Sequence, residues 1–314
     1  MLYGENSGYL IQRFDYGMLL PFMAKLPWFL GENLAKIRGV IHAIADYDWR
    51  SMALRHNYVR TRTYQAMQML LPKADTVESA FKTAMRFVHN SREEWQGAVF
   101  GHQRLMSEIA GRSYADGLDE LLEIQKQKRG MILMTSHYDS FAMGIALLGV
   151  FGLTINGLSS NVVEDPRVHP SVMDFFHKKY SDMGNYMRGG KIVHYENNLR
   201  FFYNALQQGE TVVILGDTPG ISKSVPISFL GKTFKMPLGA WLMAKKTKSL
   251  IGAFICTHKK TGSYRIECLA PKEIDPESPE NTMLPIYQFL ETRIRQAPER
   301  WVAAELLPAY EISQ

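Results

Sequence analysis

His137 is the residue around which chemistry can be organised. It follows an apolar run, Met131-Ile132-Leu133-Met134-Thr135, that begins after Gly130 and reads as a buried strand. Tyr138, Asp139 and Ser140 come next. In open α/β sheets ligands bind at the carboxyl ends of strands. An imidazole delivered there can act as a general base if an acceptor fixes its second ring nitrogen. Asp139 is the first choice for that acceptor on proximity, although an aspartate there can equally cap a helix starting at Ser140 or Phe141. A second apolar run, Thr211–Leu215, ends in Gly216-Asp217-Thr218-Pro219-Gly220. Asp217 therefore offers another carboxylate at a strand end, or marks a plain turn.

Other chemistries find less support. Ser136 and Ser140 flank the histidine, which raises a Ser/His/Asp hydrolase. The serines adjoin the imidazole, however, and no Gly-x-Ser-x-Gly elbow is present. No Walker loop, Gly-x-Gly-x-x-Gly, His-Glu-x-x-His or Cys-x-x-Cys occurs, so no resident cofactor or metal is expected. Cys256 and Cys268 make no disulfide framework and read as buried free thiols.

The elements that must position these residues follow from the pattern of apolar residues. The first 128 residues read as mainly helical, with helices over Ser51–Leu71, Thr76–Ile109 and Leu118–Lys128. From Gly130 short apolar runs alternate with helices, which implies βαβ units. Strands are expected at Met131–Thr135, Leu153–Leu158, Lys191–His194, Thr211–Leu215, Ser249–Thr257 and Tyr264–Leu269. Helices are expected near Phe141–Leu148, Ser171–Met183, Asn198–Gln208, Leu238–Lys246 and Thr282–Arg295. The expected fold is α/β: a mostly parallel central sheet flanked by helices. A helical N-terminal layer, residues 1–128, faces membrane or substrate, and residues 129–314 form the core of one continuous domain.

The 314 residues are 46% hydrophobic and 21% charged, a globular composition, with a net charge of +5. Thr218 to Ile266 holds no Asp or Glu but many lysines, which predicts either one basic patch for an acidic partner or a surface neutralised by acids distant in sequence. No nucleic-acid motif accompanies it, and no nucleic-acid partner is expected. No signal peptide is evident. The apolar, aromatic stretch Gly17–Leu30, broken by Pro21 and Pro27, suits a bilayer interface or a core-packed helix.

The ordered set of motifs resembles the late lipid A acyltransferases, the lauroyl and myristoyl transferases, and the related phosphatidylinositol mannoside acyltransferases. The matching pieces are the strand ending in His137, Gly209–Asp217, Ser228-Phe229-Leu230-Gly231-Lys232, Pro237-Leu238-Gly239 with the helix through Lys246, and Ile294–Trp301. Arg55-His56-Asn57 resembles the family's early Arg-x-Asn segment. The resemblance implies acyl transfer from an acyl-thioester, carried by acyl carrier protein or coenzyme A as substrate, to a lipid or glycolipid hydroxyl or amine. It implies His137 as base with Asp139 or Asp217 orienting it. Ser140, Arg188, Gly220, Lys223, Pro237 and Gly239 are expected to contact substrate, with Lys223 or the Gly216–Gly220 turn stabilising the oxyanion. Phe141–Phe151 and Trp241–Met243 are expected to line an acyl-chain pocket. The expected location is peripheral, on the cytoplasmic face of the inner membrane, or the cytoplasm.

Two departures stand out. The family carries an acid five positions after the histidine, where this chain has Ala142, and its basic-aromatic tail after Trp301 is replaced by Val302-Ala303-Ala304-Glu305. The family's usual N-terminal transmembrane helix has no clear counterpart. These departures predict an acceptor other than a lipid A precursor. They also keep open a non-catalytic binder of lipid or acyl carrier protein, and a thioesterase-like hydrolase.

Overall fold

Alternation along the central strand shows how the chain covers both faces of its sheet. In the computed structural model, which describes residues 5–219 and 223–312, Met131 and Leu133 enter one apolar cluster while Ile132 and Met134 enter another. Successive side chains of a strand point to opposite faces, so a strand apolar throughout must be covered on both. The strands are β1 (Tyr114–Asp116), β2 (Met131–Thr135), β3 (Ile155–Ser159), β4 (Ile192–His194), β5 (Thr211–Leu215), β6 (Ser224–Phe229), β7 (Lys232–Pro237), β8 (Leu250–His258) and β9 (Tyr264–Lys272). Seven of them form one sheet in the order β1-β9-β8-β2-β5-β3-β4. Every neighbouring pair is parallel except β8 and β9.

One face carries the helices Leu118–Lys126, Phe141–Val150 and Pro170–Gly184 with part of Thr76–Val99. The other carries Tyr195–Gln207, Gly239–Thr247 and Pro279–Gln296. The connection from β2 runs through Phe141–Val150 to β3, beyond β5. The connection from β5 runs through Gly239–Thr247 to β8, beyond β2. The chain thus leaves β2 and β5 in opposite directions, and the crevice between their carboxyl ends is the topological switch point of the sheet.

The central strands fall where the apolar runs place them, and differences lie where tertiary contacts decide. The expected helix over Ser51–Leu71 is two helices, Trp49–Leu54 and Val59–Leu70, separated at Arg55, whose φ of 57° is left-handed. That over Thr76–Ile109 divides into Thr76–Val99 and Gln103–Ala110. The N-terminal layer is not purely helical, since β1 adds an edge strand to the sheet. The hairpin of β6 and β7 lacks the usual Asn-Gly signal. Its two-residue loop is Leu230-Gly231, with φ of 53° and 81°, the positive pair that such tight hairpins require.

The N-terminal layer is fastened by buried charge. Arg38 donates to both oxygens of Asp15 at 2.7 and 2.6 Å and to Glu94 at 2.8 Å. Gly39 of Trp28–Ala45 packs so closely on Thr76–Val99 that a Cβ there would sit 2.5 Å from Val88 Cα. Removing one partner of a buried ion pair strands the other charge away from water, at about 3–5 kcal/mol. Arg38→Ala is therefore expected to lower unfolding stability by about that amount in a denaturant titration.

Candidate active site

Register builds the centre of the site. Thr135 of β2 pairs with Leu215 of β5, so the residues two beyond each strand end, His137 and Asp217, emerge side by side 80 positions apart. His137 Nδ1 lies 2.9 Å from Asp217 Oδ1. Asp217 Oδ2 accepts from the His137 backbone N–H at 2.7 Å and from Trp301 Nε1 at 2.7 Å. The carboxylate is fully buried, while the imidazole side chain keeps 27% exposure. Because Asp217 accepts at Nδ1, that nitrogen carries the proton and Nε2 presents its lone pair. Nε2 takes no hydrogen-bond partner among the described residues, and no serine or cysteine stands against it as a triad nucleophile would.

The electrostatics of the pair follow from its burial. Burial opposes the charged imidazole, yet the charge of Asp217 and its hydrogen bond outweigh it and raise the pKa of His137 above 6.5. Burial likewise opposes the Asp217 carboxylate, but the charge and hydrogen bond of His137, with the Trp301 donor, hold its pKa below 3.8.

The segment Pro298–Glu305 holds the histidine loop in place. Asp139 N–H donates to Arg300 O at 2.8 Å, and Val302 N–H donates to His137 O at 2.9 Å. Tyr138 and Trp301 form an antiparallel bridge. Tyr287 OH donates to Gly216 O at 3.0 Å, bracing the other strand end. Glu305 is buried against Arg50 and Arg86, and the charges of Glu305 and Arg50 both reach His137. The Phe141 ring meets the imidazole edge-on at 5.0 Å.

Several expectations are corrected. Asp139 does not orient His137, nor does it cap the following helix, whose N-cap is Ser140 without a side-chain bond. Its φ of 49° turns its carboxylate inward, where Arg92 pairs with it, and Arg300 at 3.0 Å and His258 N–H at 3.1 Å donate to it. Ser140 is fully buried, its hydroxyl donating to Asp139 at 3.2 Å, and so is not open to substrate. Arg188 lies in the turn before β4, where Met187 O accepts from Ile155 at the amino end of β3. It is therefore at the amino end of the strands, opposite the carboxyl end where His137 lies.

Lys223, Pro237 and Gly239 cluster where β6 begins and β7 ends, with Leu238 N–H donating to Lys223 O at 3.0 Å. Lys223 and Gly239 are exposed there, and Gly220 lies outside the described residues. Phe141–Phe151 and Trp241–Met243 cannot line one pocket, because they belong to clusters on opposite faces of the sheet. Part of the lysine-rich stretch is neutralised by acids distant in sequence: Lys235 pairs with Glu311 at 3.0 Å and Arg265 with Asp116 at 2.7 Å, while Lys245 bonds Pro276 O.

Sequence reasoning missed the parts of Arg50, Arg92, Trp301 and Glu305. Trp301 stood within a recognised motif, but nothing in its spacing links it to Asp217. Buried polar partners from different segments leave no periodic signal.

Fold and site together define an α/β protein with a histidine–aspartate pair at its switch point. The family model described as bacterial lipid A biosynthesis acyltransferase matches residues 101–304, well over half of the chain. The protein belongs to that family, whose name indicates an acyltransferase of lipid A biosynthesis. It is similar to the lipid A biosynthesis lauroyltransferase of Escherichia coli (strain K12), with 24% identity over 191 residues, covering 59% of this chain. The chain spans 58% of the length of that relative.

Titration of the His137 imidazole, followed by NMR, is expected to give a pKa above 6.5. In Asp217→Asn it should fall, because burial then opposes the charge without the attraction that offsets it. Asp139→Asn is expected to act mainly on stability, by weakening the hold on Arg92 and Arg300.

Proposed function

We propose that this protein moves a fatty acyl group from an acyl-thioester, carried by acyl carrier protein or coenzyme A, to a hydroxyl or amine of a glycolipid or related envelope acceptor. The observation that carries the reading is the open Nε2 of His137, with Nδ1 held by a buried carboxylate at the switch point. In the proposed step Nε2 takes the proton of the acceptor hydroxyl as its oxygen attacks the thioester carbonyl. The tetrahedral intermediate collapses, the C–S bond breaks, and the leaving thiolate recovers the proton from the imidazolium. Ester and free thiol are the products.

The Asp217 carboxylate supports an active site despite Ala142, because an acidic partner reaches the imidazole from the neighbouring strand. Ala142 itself is buried in the helix Phe141–Val150. The residues replacing the family's basic-aromatic tail, Val302–Glu305, are buried as well, with Glu305 committed to Arg50 and Arg86. The absence of that basic tail supports an acceptor different from a bisphosphorylated lipid A precursor: another envelope glycan or glycolipid, or a small hydroxylated or amino metabolite. A peripheral station at the cytoplasmic face of the inner membrane suits such an acceptor.

The purified protein, incubated with acyl carrier protein thioesters and a panel of acceptors, is expected to form acylated product. His137→Ala should lower the rate by about 10²-fold or more, the scale of a lost general base. The base must be neutral to accept a proton, so kcat/KM should fall as pH drops through the raised pKa of His137. An unchanged rate in folded His137→Ala would remove the reading. Release of free fatty acid alone would indicate a hydrolase, and binding without turnover a non-catalytic protein. Efficient acylation of a lipid A precursor with poor activity on other acceptors would overturn the acceptor assignment.

A further inference from the structure

The outer layer of the molecule consists of helical turns over residues 5–23 and the helix Trp28–Ala45. Its inner side is committed to the protein: Arg38 pairs with Asp15 and Glu94, and Gly31 and Gly39 press against Trp95 and Val88. Among the described residues its outer side is left open. Leu10, Phe14, Met18 and Phe22 follow one another at intervals of four residues and are each more than half exposed. Phe29, Ile37, Ile41 and Ile44 of the second helix are also each more than half exposed. Isolated apolar side chains on a surface need no explanation, but eight large ones exposed on one layer, four of them in a single helical row, mark an interaction site.

The charges around these side chains favour one occupant. Between residues 8 and 45 the only acids are Asp15 and Glu32, and both are buried. Asp15 is held by Arg38, and Glu32 by Lys36 at 3.0 Å and the Trp28 indole at 3.1 Å. Arg13 and Lys25 project from the same layer into solvent. Lys259 is exposed at the tip joining β8 and β9, where Gly262 packs on the Trp28 ring of the same layer. The exposed charges of residues 8–45 are all cations, while Asp174 is exposed on the neighbouring helix Pro170–Gly184, near His169. An apolar surface that carries cations of its own matches acidic lipid headgroups over acyl chains. A second copy of the chain would oppose these cations to one another.

We propose that the layer 8–45 is an in-plane membrane anchor that docks the protein on an anionic bilayer. No helix among the described residues is long and apolar enough to cross a membrane, so the layer lies along the surface. Trp28 also stacks on His258 at the carboxyl end of β8, the end of the sheet at which His137 follows β2. Docking therefore brings the bilayer to the edge of the sheet that carries the candidate active site. The anchor does not depend on the chemistry proposed for that site.

The test is flotation of the full-length protein with vesicles of phosphatidylcholine alone or mixed with phosphatidylglycerol. Strong co-flotation with the anionic vesicles is expected, weakened by high salt and at least tenfold weaker on phosphatidylcholine alone. Phe14→Glu/Phe22→Glu/Ile37→Glu/Ile41→Glu changes only exposed positions and should reduce partitioning at least tenfold, with unchanged circular dichroism. Lys25→Glu/Lys259→Glu leaves the apolar side chains intact and should abolish the preference for anionic lipid, which keeps the test decisive if the fourfold variant misfolds. His137→Ala should float like the parent protein, separating a failed anchor from failed chemistry. Absence of vesicle binding overturns the proposal, as does a dimer that the fourfold variant dissociates while lipid binding stays undetectable.

Discussion

A buried carboxylate is tolerated only when its lone pairs are satisfied, and Asp217 meets that condition with three donors from two distant parts of the chain. Two belong to His137, its backbone N–H and Nδ1, and the third is the Trp301 indole. An unpaired buried charge would be expelled or neutralised. Each donor is therefore a constraint on the fold as well as on the site. The β2–β5 register must bring the strand ends level, and the segment after Pro298 must return to the crevice. The same interaction sets the imidazole tautomer, so the requirement that stabilises the buried acid also leaves a lone pair facing outward.

The helix Thr76–Val99 plays a related part on a larger scale. Its buried residues are unusually polar, and each charged one meets a partner on another element: Arg86 with Asp48 and Glu305, Arg92 with Asp139, Glu93 with Lys179, and Glu94 with Arg38. Buried pairs of this kind add little net stability over apolar packing, because desolvation consumes much of the attraction. Their geometry is demanding, however, and the observed placement of the helix satisfies all of them at once. These pairs join the helix to the N-terminal layer and tie Asp139, in the histidine loop, to the same framework.

The departures from the family pattern have structural counterparts. Ala142 fills a packed helix position, while the imidazole finds its acid on the neighbouring strand. Val302 to Glu305 run inward, where Val302 supports the His137 carbonyl and Glu305 neutralises Arg50 and Arg86. The cations that remain exposed lie mainly outside the site, including Arg13 and Lys25 of the outer layer and Lys259 at the tip joining β8 and β9.

By itself the sequence determined the central strands and most of their helices, because hydrophobic periodicity is a local property. Met131–Thr135 and Thr211–Leu215 were legible to the residue, and so was the histidine following the first of them. It also presented both candidate acids, Asp139 and Asp217, but proximity favoured the wrong one. Only the tertiary structure could decide, since a left-handed turn at Asp139 directs that carboxylate to Arg92 and Arg300 while strand register brings Asp217 to the imidazole. The same holds for Trp301, for Arg188 at the opposite end of the strands from His137, and for Lys235 and Arg265, which find acids distant in sequence. Such relations depend on distance in space between segments far apart in the chain, and no periodic or local signal encodes them.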